Sequence, residues 1–110
     1  MSLQLPVAVE TYFDVSNGGD LSQLASCFCS HARVFDENKT HEGIQAIDVW
    51  QKEVRRAFSF EVQPLQAMQG EGRLTVIARL TGHFPGSPVQ MSHVFTLESD
   101  RIASLEITPC

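Results

Sequence analysis

The chain is 110 residues long, 43% hydrophobic and 19% charged, with a formal net charge of -5. That length supports a single domain over residues 1–110 with one core, and no second domain of normal size. The acidic balance argues against nucleic acid, whose phosphates call for clustered Lys and Arg. Only Lys52, Arg55 and Arg56 stand together, at the expected end of a helix, where cations complement the helix dipole.

From Leu5 to Ser16 the apolar side chains Leu5, Val9, Tyr12 and Phe13 recur at the spacing of one helical face. Pro6 suits the first turn of that helix, and Asn17-Gly18-Gly19 supplies the stop. Asp20 then reads as the N-cap of a second helix, with Gln23 completing a capping box and Leu21, Leu24, Ala25 and Phe28 as its buried face. The tight turn between the two predicts an antiparallel helix pair. Ala32 to Asp36 reads as a short strand with Ala32, Val34 and Asp36 on one side, Arg33 and Phe35 on the other. Glu37 to Glu42 is polar and turn-like, and Gly43 opens a third helix carrying Ile44, Ile47, Trp50, Val54 and Phe58.

After Phe58 the period changes to alternation. Phe60 to Gln69 forms a strand, bulged near Pro64, and Gly70-Glu71-Gly72 is a hairpin turn. Leu74, Val76, Ala78 and Leu80 face one way in the next strand, Thr75, Ile77, Arg79 and Thr81 the other. Phe84-Pro85-Gly86-Ser87-Pro88 turns the chain into a strand whose apolar face is Val89, Met91, His93, Phe95 and Leu97. Glu98 to Arg101 turns it again, and Ile102 to Ile107 closes the sheet. Helices first and long strands later predict an α+β fold, its mostly antiparallel sheet curled into a cone around three helices. A curled sheet with helices across its mouth makes a natural cavity for a small apolar molecule.

No apolar run is long enough to cross a membrane, and Met1 to Val9 lacks the pattern of a signal peptide, so a cytoplasmic protein is expected. Cys27, Cys29 and Cys110 read as free thiols. His31, His41, His83 and His93 show no ligand spacing, and no glycine-rich phosphate loop is present, so neither metal nor cofactor is expected.

Three polar residues interrupt the inward faces. Asp36 ends an apolar strand face, where desolvation raises a carboxyl toward the range of a useful general base; equally, it could cap the turn Asp36-Glu37-Asn38. Tyr12 could polarise a carbonyl oxygen or serve as a core tyrosine bonded to the backbone. His93 could be a satisfied core residue, a neutral donor, or a proton-holding partner of Asp36. Trp50 reads as pocket wall.

Asn17-Gly18-Gly19-Asp20-Leu21, Ala32-Arg33-Val34-Phe35-Asp36, Gly43-Ile44-Gln45-Ala46-Ile47 leading to Trp50, and His93-Val94-Phe95-Thr96-Leu97 followed by Arg101-Ile102 occur in that order along nearly the whole chain. This text resembles the nuclear transport factor 2-like (cystatin-like) superfamily and, within it, the SnoaL-like polyketide cyclases and ketosteroid isomerases. The resemblance implies that Tyr12 is the oxyanion donor and Asp36 the general base. His93 stands where those isomerases carry a second, acidic donor, which is a departure. It further implies a ligand pocket walled by Trp50, Phe28, Val34, Phe60, Met91 and Phe95. The activity implied is cofactor-independent acid-base chemistry (isomerase, cyclase or dehydratase) on an apolar carbonyl compound. The alternative is a non-catalytic ligand-binding or dimeric accessory domain of the same fold. Members of the superfamily often pair through the outer sheet face, here Thr75, Ile77, Arg79, Val94 and Thr96, so a homodimer is expected.

Overall fold

A computed structural model describes residues 3–57 and 59–110. Its elements run α1 (Val7–Ser16), a 3-10 turn (Leu21–Gln23), α2 (Leu24–Cys27), β1 (Phe28–Asp36), β2 (Lys39–Glu42), α3 (Ile44–Ala57), β3 (Phe60–Gly70), β4 (Arg73–Gly82), β5 (Val89–Glu98) and β6 (Arg101–Pro109). Phe58, expected on the third helix, lies outside the described residues.

Pro6 precedes α1 instead of joining its first turn: at φ -54° and ψ 147° it is extended, and its carbonyl accepts the N–H groups of Val9 and Glu10. The helix ends as the sequence indicates. Gly18 takes φ 99°, and the amides of Gly18 and Gly19 return to the carbonyls of Val15 and Asp14 at 3.1 and 2.9 Å. That is a Schellman closure, in which glycine adopts a left-handed conformation at little cost.

The second helix is a correction. The Asp20 carboxylate accepts the amide of Ser22 at 3.0 Å, closing a tight turn two residues on, so no capping box forms with Gln23. One helical turn follows, Phe28 is already extended, and Ala25 is exposed. Ser26-Cys27-Phe28-Cys29-Ser30 contains weak helix formers, and burial of Phe28 in the sheet outweighs them. What packs against α1 is therefore a single turn and not a full second helix, and β1 is nine residues long, extending well before Ala32. Lys39–Glu42 is likewise a strand, not a turn. Glu37 and Asn38 both take positive φ, 51° and 63°, as a two-residue type I′ hairpin requires.

The six strands form one curved, open sheet in the order β2-β1-β6-β5-β4-β3. β1 runs parallel to β6, and every other pair is antiparallel. The bulge near Pro64 is present: pairing with β4 slips between Pro64 and Gln66. Gly43 donates its amide to Ala32 O at 2.8 Å, tying the start of α3 to β1. The core gathers Val9, Tyr12 and Phe13 of α1, Ile47 and Trp50 of α3, and the inward residues Phe28, Val34, Val76, Phe95 and Leu105 of the sheet.

Asn17 clamps the end of α1 to β3, donating Nδ2–H to Val62 O at 2.9 Å and accepting the Val62 amide at 2.7 Å. Asn17→Ala removes both bonds and is expected to lower stability by about 1–3 kcal/mol. Urea unfolding reads this directly; an unchanged midpoint would show that the clamp contributes nothing.

Candidate functional site

The inward faces do not meet at one end of the sheet. There a cavity of about 400 Å³ opens, within the range of small-molecule sites. α1 contributes Tyr12 and Ser16, and α3 contributes Trp50, Gln51 and Val54. Asp36 and Glu37 come from the end of β1 and its turn, Phe60 and Val62 from β3, Leu80 from β4, Val89, Met91 and His93 from β5, and Ile107 from β6. Phe84 and Pro85 of the β4–β5 turn complete the wall.

The three polar candidates are brought together, as are Trp50, Phe60 and Met91 from the expected wall. Phe28, Val34 and Phe95 are not cavity-lining, which corrects the sequence expectation. They are fully buried, and Phe28 and Phe95 pack edge-on against the Tyr12 ring at 6.1 and 5.7 Å between centroids. Alternation told which way they point, but not how deep along the strand they lie. Met68, a possible filler of the space, is 48% exposed and absent from the lining.

Asp36 faces the cavity and also caps its turn. Its carboxylate lines the cavity and also accepts a backbone bond from Glu37. The indole of Trp50 donates Nε1–H to Asp36 Oδ2 at 3.1 Å, a contact from the middle of α3 to the end of β1. Burial pushes the Asp36 carboxyl above the usual range; the Trp50 bond opposes this, the nearby Glu37 carboxylate reinforces it, and His41 opposes it. The His41 ring lies 5.9 Å from that of Trp50, tilted by 32°. Sequence reasoning missed both the Trp50 bond and His41, because neither spacing nor period links them to Asp36.

The Tyr12 ring stacks on Trp50, with planes 3° apart and centroids 6.5 Å apart. Burial, above all, raises the phenol beyond its ordinary range, with the Asp36 and Cys27 charges adding to the effect and a hydrogen bond from Ser16 opposing it. The phenol therefore stays protonated at any ordinary pH and is available as a donor. Ser16 and Gln51 are both buried polar residues of the wall, and Gln51 donates Nε2–H to Ser16 Oγ at 3.4 Å. Each was passed over as one polar residue inside an apolar helical face.

His93 sits against Tyr12, Phe13 and Phe95, with Nδ1 3.3 Å from Met91 O. Among the described residues no hydrogen bond joins it to Asp36, so of its three readings the proton-holding pair is not formed in this structure. Burial pulls its pKa from the ordinary 6.5 down to about 4, against the pull of the Met91 and Val76 carbonyls, so the ring is neutral. A folded value below the unfolded one means that the unfolded chain takes up the proton first. The stability held above pH 6.5 is lost as pH falls toward 4. Urea midpoints are expected to fall across that window in the native chain and to fall less in His93→Asn; equal slopes would show that the ring is solvated.

A sequence profile of the SnoaL-like domain matches residues 9–105. The chain belongs to the SnoaL-like family. Among solved structures, this SnoaL-like domain is similar to a candidate polyketide cyclase from Sinorhizobium meliloti, with 38% identity, a TM-score of 0.90, and coverage of 94% of this chain and 95% of that one. A protein of ketosteroid isomerase-like fold from Catenulispora acidiphila, solved in complex with trimethylamine, shares 20% identity at a TM-score of 0.83, covering 96% of this chain and 86% of that one. A candidate ketosteroid isomerase from Kribbella flavida shares 12% identity at a TM-score of 0.78, covering 93% of this chain and 74% of that one. These last two establish the fold alone. No curated protein matches the chain. Among the described residues of the SnoaL-like domain, no helix is long and apolar enough to cross a membrane, and no group of three or more His, Cys, Asp or Glu could hold a metal ion.

Proposed function

We propose that this SnoaL-like domain is a cofactor-independent acid-base enzyme acting on a small apolar carbonyl compound. The observation that supports this reading is the shared cavity: the Asp36 carboxylate and the Tyr12 phenol line one largely apolar hollow. Burial holds the first closer to working pH and keeps the second protonated. Asp36 removes a proton from the carbon next to the carbonyl. The electron pair moves onto the carbonyl oxygen, and the Tyr12 O–H donates a hydrogen bond to the resulting enolate. The proton is then returned to another carbon, which gives isomerisation; or the enolate carbon attacks a second carbonyl of the substrate, whose alkoxide takes the proton from Asp36, which gives cyclisation; or a β-hydroxyl is expelled and leaves as water with that proton, which gives dehydration.

Polyketide-like carbonyl compounds are the first class to test, because the Sinorhizobium meliloti relative is a candidate polyketide cyclase. Exchange into deuterium oxide tests the step without knowledge of the product. Steroid-like, aromatic and polyketide-like ketones are incubated with the protein, and loss of the proton signal next to the carbonyl is followed by NMR. Catalysed exchange of at least one class supports the proposal. Ligands that raise the melting temperature yet exchange only at the uncatalysed rate overturn it in favour of a binding domain.

Self-association through the outer sheet face belongs to the same proposal. Thr75, Ile77, Val94 and Thr96 are only half-buried there in the single chain, with Arg79 exposed among them. A monomer in sedimentation at working concentration would remove that part. Three unpaired cysteines suit a reducing compartment, and the cytoplasm is the location proposed.

A further inference from the structure

A phenol oxygen can donate and accept, so a donor role requires that its own proton be turned into the cavity. Ser16 follows Tyr12 by one helical turn on α1, the spacing that places two side chains on one face. Hydrogen bonding from its hydroxyl opposes the burial that raises the phenol's pKa. Gln51, 1% exposed on α3, sends its amide N–H to the Ser16 oxygen from the other side. All three line the cavity. Ser16 has a single proton. The amide donor on one lone pair polarises the Ser16 hydroxyl toward donating, and in the direction where its proton goes to the Tyr12 oxygen the proton of Tyr12 is left for the cavity.

We propose that Gln51, acting through Ser16, is a positioning residue that fixes the direction of hydrogen bonding at Tyr12, so that the phenol presents its proton to a ligand oxygen. This rests on the reading of Tyr12 as a donor given above. The direction is set by the amide. In Gln51→Glu, the carboxylate accepts from Ser16, Ser16 accepts from Tyr12, and the phenol proton is withdrawn from the cavity. The other groups facing the phenol are Asp36 and Cys27, with the neutral His93 ring against its edge. Gln51→Glu also adds a negative charge beside Asp36, which Ser16→Ala does not, so agreement between the two variants is what reads the relay.

Tyr12 is the only tyrosine in the chain, so the Fermi doublet of tyrosine in the Raman spectrum reads this phenol alone. Its intensity ratio separates a phenol that accepts as well as donates from one that only donates. The ratio is expected to move toward the pure donor in Gln51→Glu and Ser16→Ala, and to stay at the native value in Ser16→Thr, which keeps the hydroxyl. Naphtholate, an apolar oxyanion whose fluorescence marks its ionised form, is expected to bind about ten- to a hundredfold more weakly to Gln51→Glu and Ser16→Ala. Naphthalene, which lacks the oxygen, reports any change in cavity fit, and the naphtholate loss is read relative to it. An identical doublet in the native chain, Gln51→Glu and Ser16→Ala overturns the relay. A shifted doublet in a protein that never binds naphtholate keeps the relay and overturns the donor reading of Tyr12.

Discussion

Asp36→Asn is expected to lower turnover by about a thousandfold while leaving ligand affinity within a few-fold, the loss typical of removing a positioned general base. The substitution keeps size and shape, and the amide oxygen still accepts the Trp50 indole N–H. What disappears is the capacity to take a proton. The sign of the stability change is a second check. Burial holds the native carboxyl above its unfolded value, so ionisation destabilises the fold above that raised pKa, and protonation relieves the cost as pH falls through it. Asp36→Asn is therefore more stable than the native chain at neutral pH, and the gap closes in acid. Parallel measurement of exchange rates and urea midpoints covers both. Full turnover in Asp36→Asn would remove Asp36 from the chemistry.

Tyr12→Phe is expected to cost about a hundredfold or more in turnover, as loss of one oxyanion donor does. The ring contacts with Phe13, Phe28, Trp50 and Phe95 are made by the aromatic face and edge, so they survive the change. The loss therefore falls on the rate, with little change in melting temperature. Comparison of kcat and KM for the two proteins separates the cases. A raised KM with unchanged kcat would mean that Tyr12 only holds the ground state.

Much of the architecture was legible in the sequence because the period of two and the helical period each left clear marks, as in Leu74-Val76-Ala78-Leu80 and Ile44-Ile47-Trp50-Val54. Weak local signals failed at α2, where Asp20 does cap but the helix it starts gives way to β1 after one α-helical turn, and at β2, whose four residues have no buried side to reveal them. Tyr12, Asp36 and His93 were found because each is a polar interruption in an apolar face. Depth was not legible. The cavity takes the C-terminal ends of β1, β4 and β6 and the N-terminal ends of β3 and β5, so Val89, Met91 and His93 line it while Phe95 does not. That selection depends on strand direction and register, which no single strand records. Ser16 and Gln51 were missed for a related reason, since a polar residue on a helix gains meaning only from the element opposite.

The parallel pairing of β1 with β6 has a kinetic consequence. The strand that carries Asp36 joins the larger sheet through residues some seventy positions later in the chain, as in Val34 against Leu105. Such distant pairing closes slowly, because a long loop must be ordered before the contact rewards it. The β3–β4–β5–β6 hairpins can assemble from neighbours alone, whereas Asp36 reaches its station only when the final strand has docked. Until β1 has paired with β6, the cavity wall lacks the corner that Asp36 supplies.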